Sequence, residues 1–305
     1  RPEAGPAYVD DVIAELRAQA DRPLVRSAPI DAVYIGGGTP SALDTVDLVR
    51  LIEAVRSNLP LTADCEITLE GRAFGFDLFK ADKVADAGVS RLSFGVQTFA
   101  TNIRRRLGRK LAGEQIVSFL AALVASGRTA VVCDLIYGLP GLGEAEWRRD
   151  IDLIEEIGLD GVTLYALNLF PGAPMARAVE SGKLPAPASP DDQARAYAEA
   201  MDRLIGRGWL QVSQSHLVRS VREINRYNAS IKRGVTCLPF GAGAGGQAHR
   251  QRILQAGPVR REIGAGDWTA NGFEIPGDSL GQITAIKVIG AQKIRYPIKS
   301  GIVEQ

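Results

Sequence analysis

The chain has 305 residues, 46% of them hydrophobic and 23% charged, with a formal net charge of +1. That composition fits a globular protein with material for a large core, and the near-neutral balance excludes a global basic field directed at nucleic acid or an acidic membrane surface. The longest apolar run, Val117 to Ala125, is broken by Ser118 and too short for membrane insertion. Cys65, Cys133 and Cys237 lie far apart, which excludes a disulfide scaffold and short-spaced metal motifs and suits a reducing, cytoplasmic setting.

Apolar spacing predicts a helix over Ala7–Ala20, a strand over Asp31–Ile35 and a helix over Thr45–Asn58. A strand at Cys65–Leu69, a helix at Asp77–Asp86 and a strand at Arg91–Val96 follow, then helical runs through Ser126. Strand Ala130–Leu135, helix Glu144–Ile157 and strand Val162–Leu167 continue the alternation. A helix over Pro190–Ile205 and an extended stretch near Leu210–Ser215 complete it. The strands are rich in Val, Ile, Leu and Tyr, as parallel strands covered on both faces are. Strands recurring about every 30 residues with helices between them read as repeated βαβ units. The expected fold class is therefore α/β, a partial, open βα barrel of parallel strands with about six visible strands.

Both ends are unusual. The first element is a helix, so the first strand and the loop after it are expected to be missing from this chain, upstream of Arg1. After "FGAGAGG" (240–246) the periodicity dissolves. The expected division is a barrel core over 1–206 and a C-terminal extension over 207–305 that contributes to the substrate site.

Ligands of parallel α/β folds bind at the carboxyl ends of the strands. There "YIGGGTPSAL" (34–43) places Gly36, Gly37, Gly38 and Thr39; Glu70 ends the next strand; Gln97 ends the third. Asp134 lies within the apolar run "VVCDLIYGLP", where an unpartnered carboxylate is costly, and Asn168 follows the fifth strand. Arg109 lies in the loop after the third. Taken singly, these are a common turn, helix caps and solvated loop residues. Together they suit a small ligand with an ammonium, a carboxylate and ribose hydroxyls, the inventory of S-adenosylmethionine.

The words "YIGGGTPSAL", "EITLEGR", "GVSRLSFGVQTF", "RRLGR", "DLIYGLPG" and "FGAGAGG" resemble the radical S-adenosylmethionine enzymes of the oxygen-independent coproporphyrinogen dehydrogenase superfamily, over about Ala7 to Gly246. Within that group, "SQSHLVRSVREINRYN" followed by "LPFGAGAGG" looks most like the anaerobic haem-degrading methyltransferases, or anaerobilin synthases. The resemblance implies a radical SAM type of barrel. It implies an S-adenosylmethionine site at Gly37, Gly38, Thr39, Glu70, Gln97, Arg109 and Asp134. It also implies a [4Fe–4S] cluster, a flavodoxin-type electron donor, and haem or a related tetrapyrrole as substrate. The implied reaction is methyl transfer with opening of the porphyrin ring and release of iron. A haem chaperone and a coproporphyrinogen dehydrogenase of the same superfamily are the alternatives.

The family's Cys-x3-Cys-x2-Cys loop, whose thiolates hold such a cluster, does not occur in these 305 residues; its cysteines are expected upstream of Arg1. For the substrate, His216 could ligate haem iron or donate a proton, or be a hydrogen-bonded structural histidine. Arg219 and Arg222 could pair with propionates, or form a solvated face.

Overall fold

The structure is a computed structural model that describes residues 5–242, 244–248, 251–254 and 283–289. Its helices are α1 (Gly5–Gln19), α2 (Pro23–Arg26), α3 (Thr45–Asn58), α4 (Leu78–Asp86), α5 (Thr101–Arg106), α6 (Gly113–Ser126), α7 (Glu144–Ile157), α8 (Pro174–Glu180), α9 (Pro190–Gly206) and α10 (Arg226–Lys232). The strands are β1 (Ile30–Gly36), β2 (Leu61–Gly71), β3 (Arg91–Gln97), β4 (Ala130–Tyr137), β5 (Gly161–Ala166), β6 (Leu210–Gln211), β7 (His216–Val218), β8 (Thr236–Phe240), β9 (Gly245–Ala248), β10 (Gln251–Leu254) and β11 (Ile283–Ile289).

Local chemistry sets the helix ends. Asp44 accepts from Asp47 N at 2.7 Å to start α3, Asp77 caps α4, and Ser189 followed by Pro190 starts α9. Gly127 and Gly158 end α6 and α7 in the left-handed conformation that glycine adopts without a Cβ penalty.

All eleven strands form one sheet in the order β10-β9-β8-β11-β1-β2-β3-β4-β5-β7-β6. From β1 to β5 the strands are parallel and adjacent in chain order, so their carboxyl ends share one rim. The sheet runs out at β6 and β10 and does not close among the described residues, which is the open, partial barrel. β7 turns antiparallel to β5. On the other side of β1, where an upstream strand was expected to be missing, β11 supplies a parallel partner from far along the chain. The expected loss of periodicity after 240–246 is thus only partial: β9, β10 and β11 form, while residues 255–282 and 290–305 lie outside the described residues. Segments beyond residue 206 join the core sheet.

The two faces of β1 to β5 differ. Val33, Ile35, Ile67, Leu69, Leu92, Phe94, Val131, Cys133, Leu135, Val162 and Leu164 belong to the main apolar core with α1, α3, α6, α7 and α9. The alternating positions carry Tyr34, Glu66, Thr68, Glu70, Arg91, Ser93, Asp134 and Thr163. The expectation of strands apolar on both faces therefore fails on the inward side. Instead α10 closes one end of that side: Glu66 accepts from the Arg226 and Tyr227 amides at the N-terminus of α10, and the Tyr34 and Tyr227 rings lie 4.7 Å apart. No helix among the described residues is long and apolar enough to cross a membrane.

Candidate functional site

The rim is built from the ends of successive strands. After β1 the chain passes through Gly37 and Gly38 with φ of 75° and 62°, the left-handed region that favours glycine. Gly36 has a different reason to be glycine: a Cβ there would stand 2.3 Å from a Tyr34 ring carbon and 2.6 Å from Glu70 Oε2. Gly37 N donates to Glu70 Oε2 at 3.2 Å, and Tyr34 OH reaches the same oxygen at 3.4 Å, so the glycine loop is tied to the end of β2. Thr39 follows with its hydroxyl on the Gly38 carbonyl at 2.6 Å.

β3 ends in a distortion. Its register with β4 shifts between Gly95 and Gln97, and Gln97 takes a φ of 69°, unusual for a residue with a side chain. The bulge brings the Gln97 amide back over Gly95, where a Cβ would meet Gln97 Nε2 at 2.7 Å. Gln97 Oε1 is buried with no hydrogen-bond partner among the described residues. Gln97 thus combines a left-handed backbone with a buried acceptor that a hydrogen-bond donor could satisfy.

Asp134 lies beside Gly95 in the β3–β4 register and is half-buried. Burial pushes its carboxyl up to about 6; the Thr163 hydroxyl pulls back, and the Glu70 carboxylate adds to the rise. Across the rim, burial and then the like charge of Arg72 pull the Arg109 guanidinium below its ordinary value, with no carboxylate offsetting them. Two cations that feel each other's charge can receive an anionic group, and Arg presents a bidentate fork to a carboxylate. Arg72, the last residue of "EITLEGR", is not among the site residues expected from the sequence. Its charge and its position two residues past Glu70 were the available signals. Its amide donates to Ser41 Oγ at 3.0 Å, which fixes the chain where it leaves β2.

Gly37, Gly38, Thr39, Glu70, Gln97 and Asp134 lie at the carboxyl ends of β1 to β4, while Arg109 follows α5 and feels the charge of Arg72 just past β2. Asn168 lies past the end of β5, exposed, near the exposed rings of Tyr165 and Phe170. The residues expected for the substrate are not brought to the rim. His216 is 3% exposed, and both its ring nitrogens are engaged, Nδ1 with Thr163 Oγ1 at 3.1 Å and Nε2 with Glu223 Oε1 at 2.9 Å. Arg219 and Arg222 lie at the opposite end of the sheet: the Arg219 amide donates to the Asp160 carbonyl and the Arg222 guanidinium to the Thr129 carbonyl, just before β5 and β4 begin. In this structure His216 has no free nitrogen for iron, and the two arginines are far from the carboxyl ends of the strands.

The residues present fit S-adenosylmethionine: an unpaired amide oxygen, two carboxylates, a glycine loop and a pair of guanidiniums converge on one mouth. They do not fit an iron–sulfur cluster. Cys65, Cys133 and Cys237 lie on β2, β4 and β8, and no metal-ligating group of three such side chains exists among the described residues.

Residues 2–154 match the Radical SAM superfamily. The chain is 47% identical to an anaerobilin synthase of Escherichia coli O157:H7 over 78% of its own length and 54% of that protein's. It is 29% identical to the heme chaperone HemW of Lactococcus lactis, over 85% of this chain and 66% of that one. Among solved structures, coproporphyrinogen III oxidase (HemN) from Escherichia coli matches with a TM-score of 0.67 and 24% identity, covering 81% of this chain and 58% of that chain. The chain therefore spans about half to two thirds of the length of the relatives it matches.

Proposed function

The chain belongs to the radical S-adenosylmethionine superfamily, and from that premise we propose that it is the core of an enzyme that opens the haem ring without oxygen. The observation that carries this reading is the likeness to the anaerobilin synthase, far higher than that to the haem chaperones over a comparable share of the chain. S-adenosylmethionine, when bound, supplies the radical and the carbon that such a reaction adds to a porphyrin.

This chain's own residues account for holding it. The paired guanidiniums of Arg109 and Arg72 take the amino-acid carboxylate. Exposed backbone of the Gly37–Thr39 loop accepts from the ammonium, while Glu70, fixed by Gly37 N, sets the loop's position. Gln97 Oε1 and Asp134 accept from the ribose hydroxyls, and filling Gln97 Oε1 relieves an unsatisfied buried acceptor. The exposed rings of Tyr165 and Phe170 at the end of β5 offer apolar faces to a flat macrocycle.

Haem titrated into the protein should shift the Soret band, and a longer protein that supplies the cluster cysteines, given haem, S-adenosylmethionine and reductant, should bleach that band and release iron. Return of unmodified haem would identify a chaperone instead. Binding of coproporphyrinogen in preference to haem would favour the dehydrogenase.

A further inference from the structure

A left-handed backbone at a residue with a side chain persists only where its surroundings over-determine it, and Gln97, with φ of 69°, is such a residue. The peptide groups around it are held from behind by Arg104 on α5, which is 3% exposed. Arg104 Nη1 donates to Val96 O at 2.7 Å and to Thr98 O at 2.8 Å, the carbonyls of the residues on either side of Gln97. The Thr98–Phe99 peptide is held at its other end too, since Phe99 N donates to Asp150 Oδ1 at 2.8 Å.

The same arginine also fastens the chain around Arg109. Its Nε donates to Leu111 O at 2.8 Å, and its own carbonyl accepts from Arg109 N at 2.9 Å. Arg109 is therefore bracketed by two bonds to one residue.

On the reading of Gln97 and Arg109 as cofactor-binding residues, we propose that Arg104 is the positioning residue of that site. One buried guanidinium sets the turn at Gln97 and the course of the loop that carries Arg109, and so governs S-adenosylmethionine affinity through them.

Rotation about the Gln97 backbone swings the Val96 and Thr98 carbonyls relative to each other, and a single nitrogen bonded to both fixes that relation. Relaxing Gln97 to an extended backbone would part at least one carbonyl from Nη1 and cost a buried hydrogen bond. The guanidinium suits the task because its donors lie on separate nitrogens of a rigid plane, Nη1 turned to the end of β3 and Nε to the loop after α5. Burial of this cation is costly, and bonds to three main-chain carbonyls offset the cost.

Two substitutions divide the role. In Arg104→Gln the amide nitrogen takes the Nε position, which leaves a donor for Leu111 O and none that reaches Val96 O or Thr98 O. In Arg104→Lys the ammonium keeps a donor for those two carbonyls and none at the Nε position. Nuclear magnetic resonance of the cofactor-free, ¹³C-glutamine-labelled protein reads the turn, because the Cα and Cβ shifts follow backbone conformation; Gln97→Gly assigns the signal. The Gln97 signal should move from left-handed to extended values in Arg104→Gln and stay in place in Arg104→Lys. By calorimetry, S-adenosylmethionine affinity should fall about tenfold in Arg104→Gln, as for one hydrogen bond to the ligand, and by less in Arg104→Lys. A packing role alone would lower stability in denaturant and leave the Gln97 shift where it was. An unmoved Gln97 signal in folded Arg104→Gln overturns the proposal, and so does an affinity equal to that of the wild type. Should Arg104→Gln not fold, Arg104→Lys decides, with wild-type affinity overturning the proposal. A wild type that binds no S-adenosylmethionine refutes the reading of the site instead, and the Gln97 signal then decides alone whether Arg104 sets the turn.

Discussion

Arg109 and Gln97 make different demands on a ligand, and each can be tested alone. Arg109 feels the like charge of Arg72, so the pair would gain from a carboxylate that reaches both. Arg109→Lys keeps the charge but loses the planar fork, and S-adenosylmethionine affinity should fall by about tenfold, roughly 1.4 kcal/mol. Calorimetry on the purified variant measures it. Gln97 combines a left-handed backbone with an unpaired buried oxygen. Gln97→Gly removes both, so folding stability should stay within about 1 kcal/mol of wild type while affinity falls by about tenfold or more. Denaturant unfolding and calorimetry on one preparation separate the two effects. A parallel loss of stability and affinity would make Gln97 a packing residue.

At the scale of the elements, the glycine run shows what a sequence tells and what it leaves out. Three consecutive glycines after a strand pointed to a close approach of backbone and ligand. Gly37 and Gly38 do have the conformations that reading needs, but Gly36 makes room for Tyr34 and Glu70 of this same protein. Gly36→Ala should therefore displace both side chains, destabilise the fold by roughly 1–3 kcal/mol and loosen the loop that Glu70 holds, as thermal unfolding would register. The strands were legible because Val, Ile and Leu recur in them; their inward face was not. The polar residues of "EITLEG" and "RLSFGVQ" alternate with apolar ones, but a period of two does not say whether the polar side meets water, a ligand or a buried network. Arg91 and Glu223 illustrate the gap, being distant in sequence and joined at 2.8 Å in the interior. Glu223→Gln leaves Arg91 without its counter-charge and should cost about 3–5 kcal/mol by denaturant unfolding.

For the whole molecule, the distribution of buried carboxyls sets how stability varies with pH. Burial raises Asp150 from 3.8 to about 7 and Asp134 from 3.8 to about 6. A carboxyl raised on folding binds its proton more tightly in the native state. Its contribution is therefore complete below the unfolded value near 4 and is lost as pH rises through 6 to 7. Asp150 Oδ1 accepts from Phe99 N at 2.8 Å while Oδ2 has no hydrogen-bond partner among the described residues, so Asp150→Asn keeps the useful acceptor and removes the buried charge. That variant should be more stable than wild type by roughly 1–3 kcal/mol at pH 8, with the gap closing toward pH 4, as melting curves across that range would report. The substrate region was the least legible part of the chain. A histidine followed by two arginines has the right chemistry for a haem, but burial and chain direction decide where that chemistry points. Here β7 runs antiparallel to β5, which carries Arg219 and Arg222 away from the rim.

The central claim is that the carboxyl-end rim of β1 to β4, with the loops that follow them, binds S-adenosylmethionine. Calorimetric titration of S-adenosylmethionine into the wild type and Asp134→Asn, with circular dichroism confirming that both are folded, puts it at risk in one experiment. One ligand should bind per chain, with affinity reduced by about tenfold in the variant, because a neutral amide oxygen accepts from a ribose hydroxyl more weakly than an ionised carboxylate does. Equal affinity in two folded proteins, or no binding to either, would contradict the assignment of this rim.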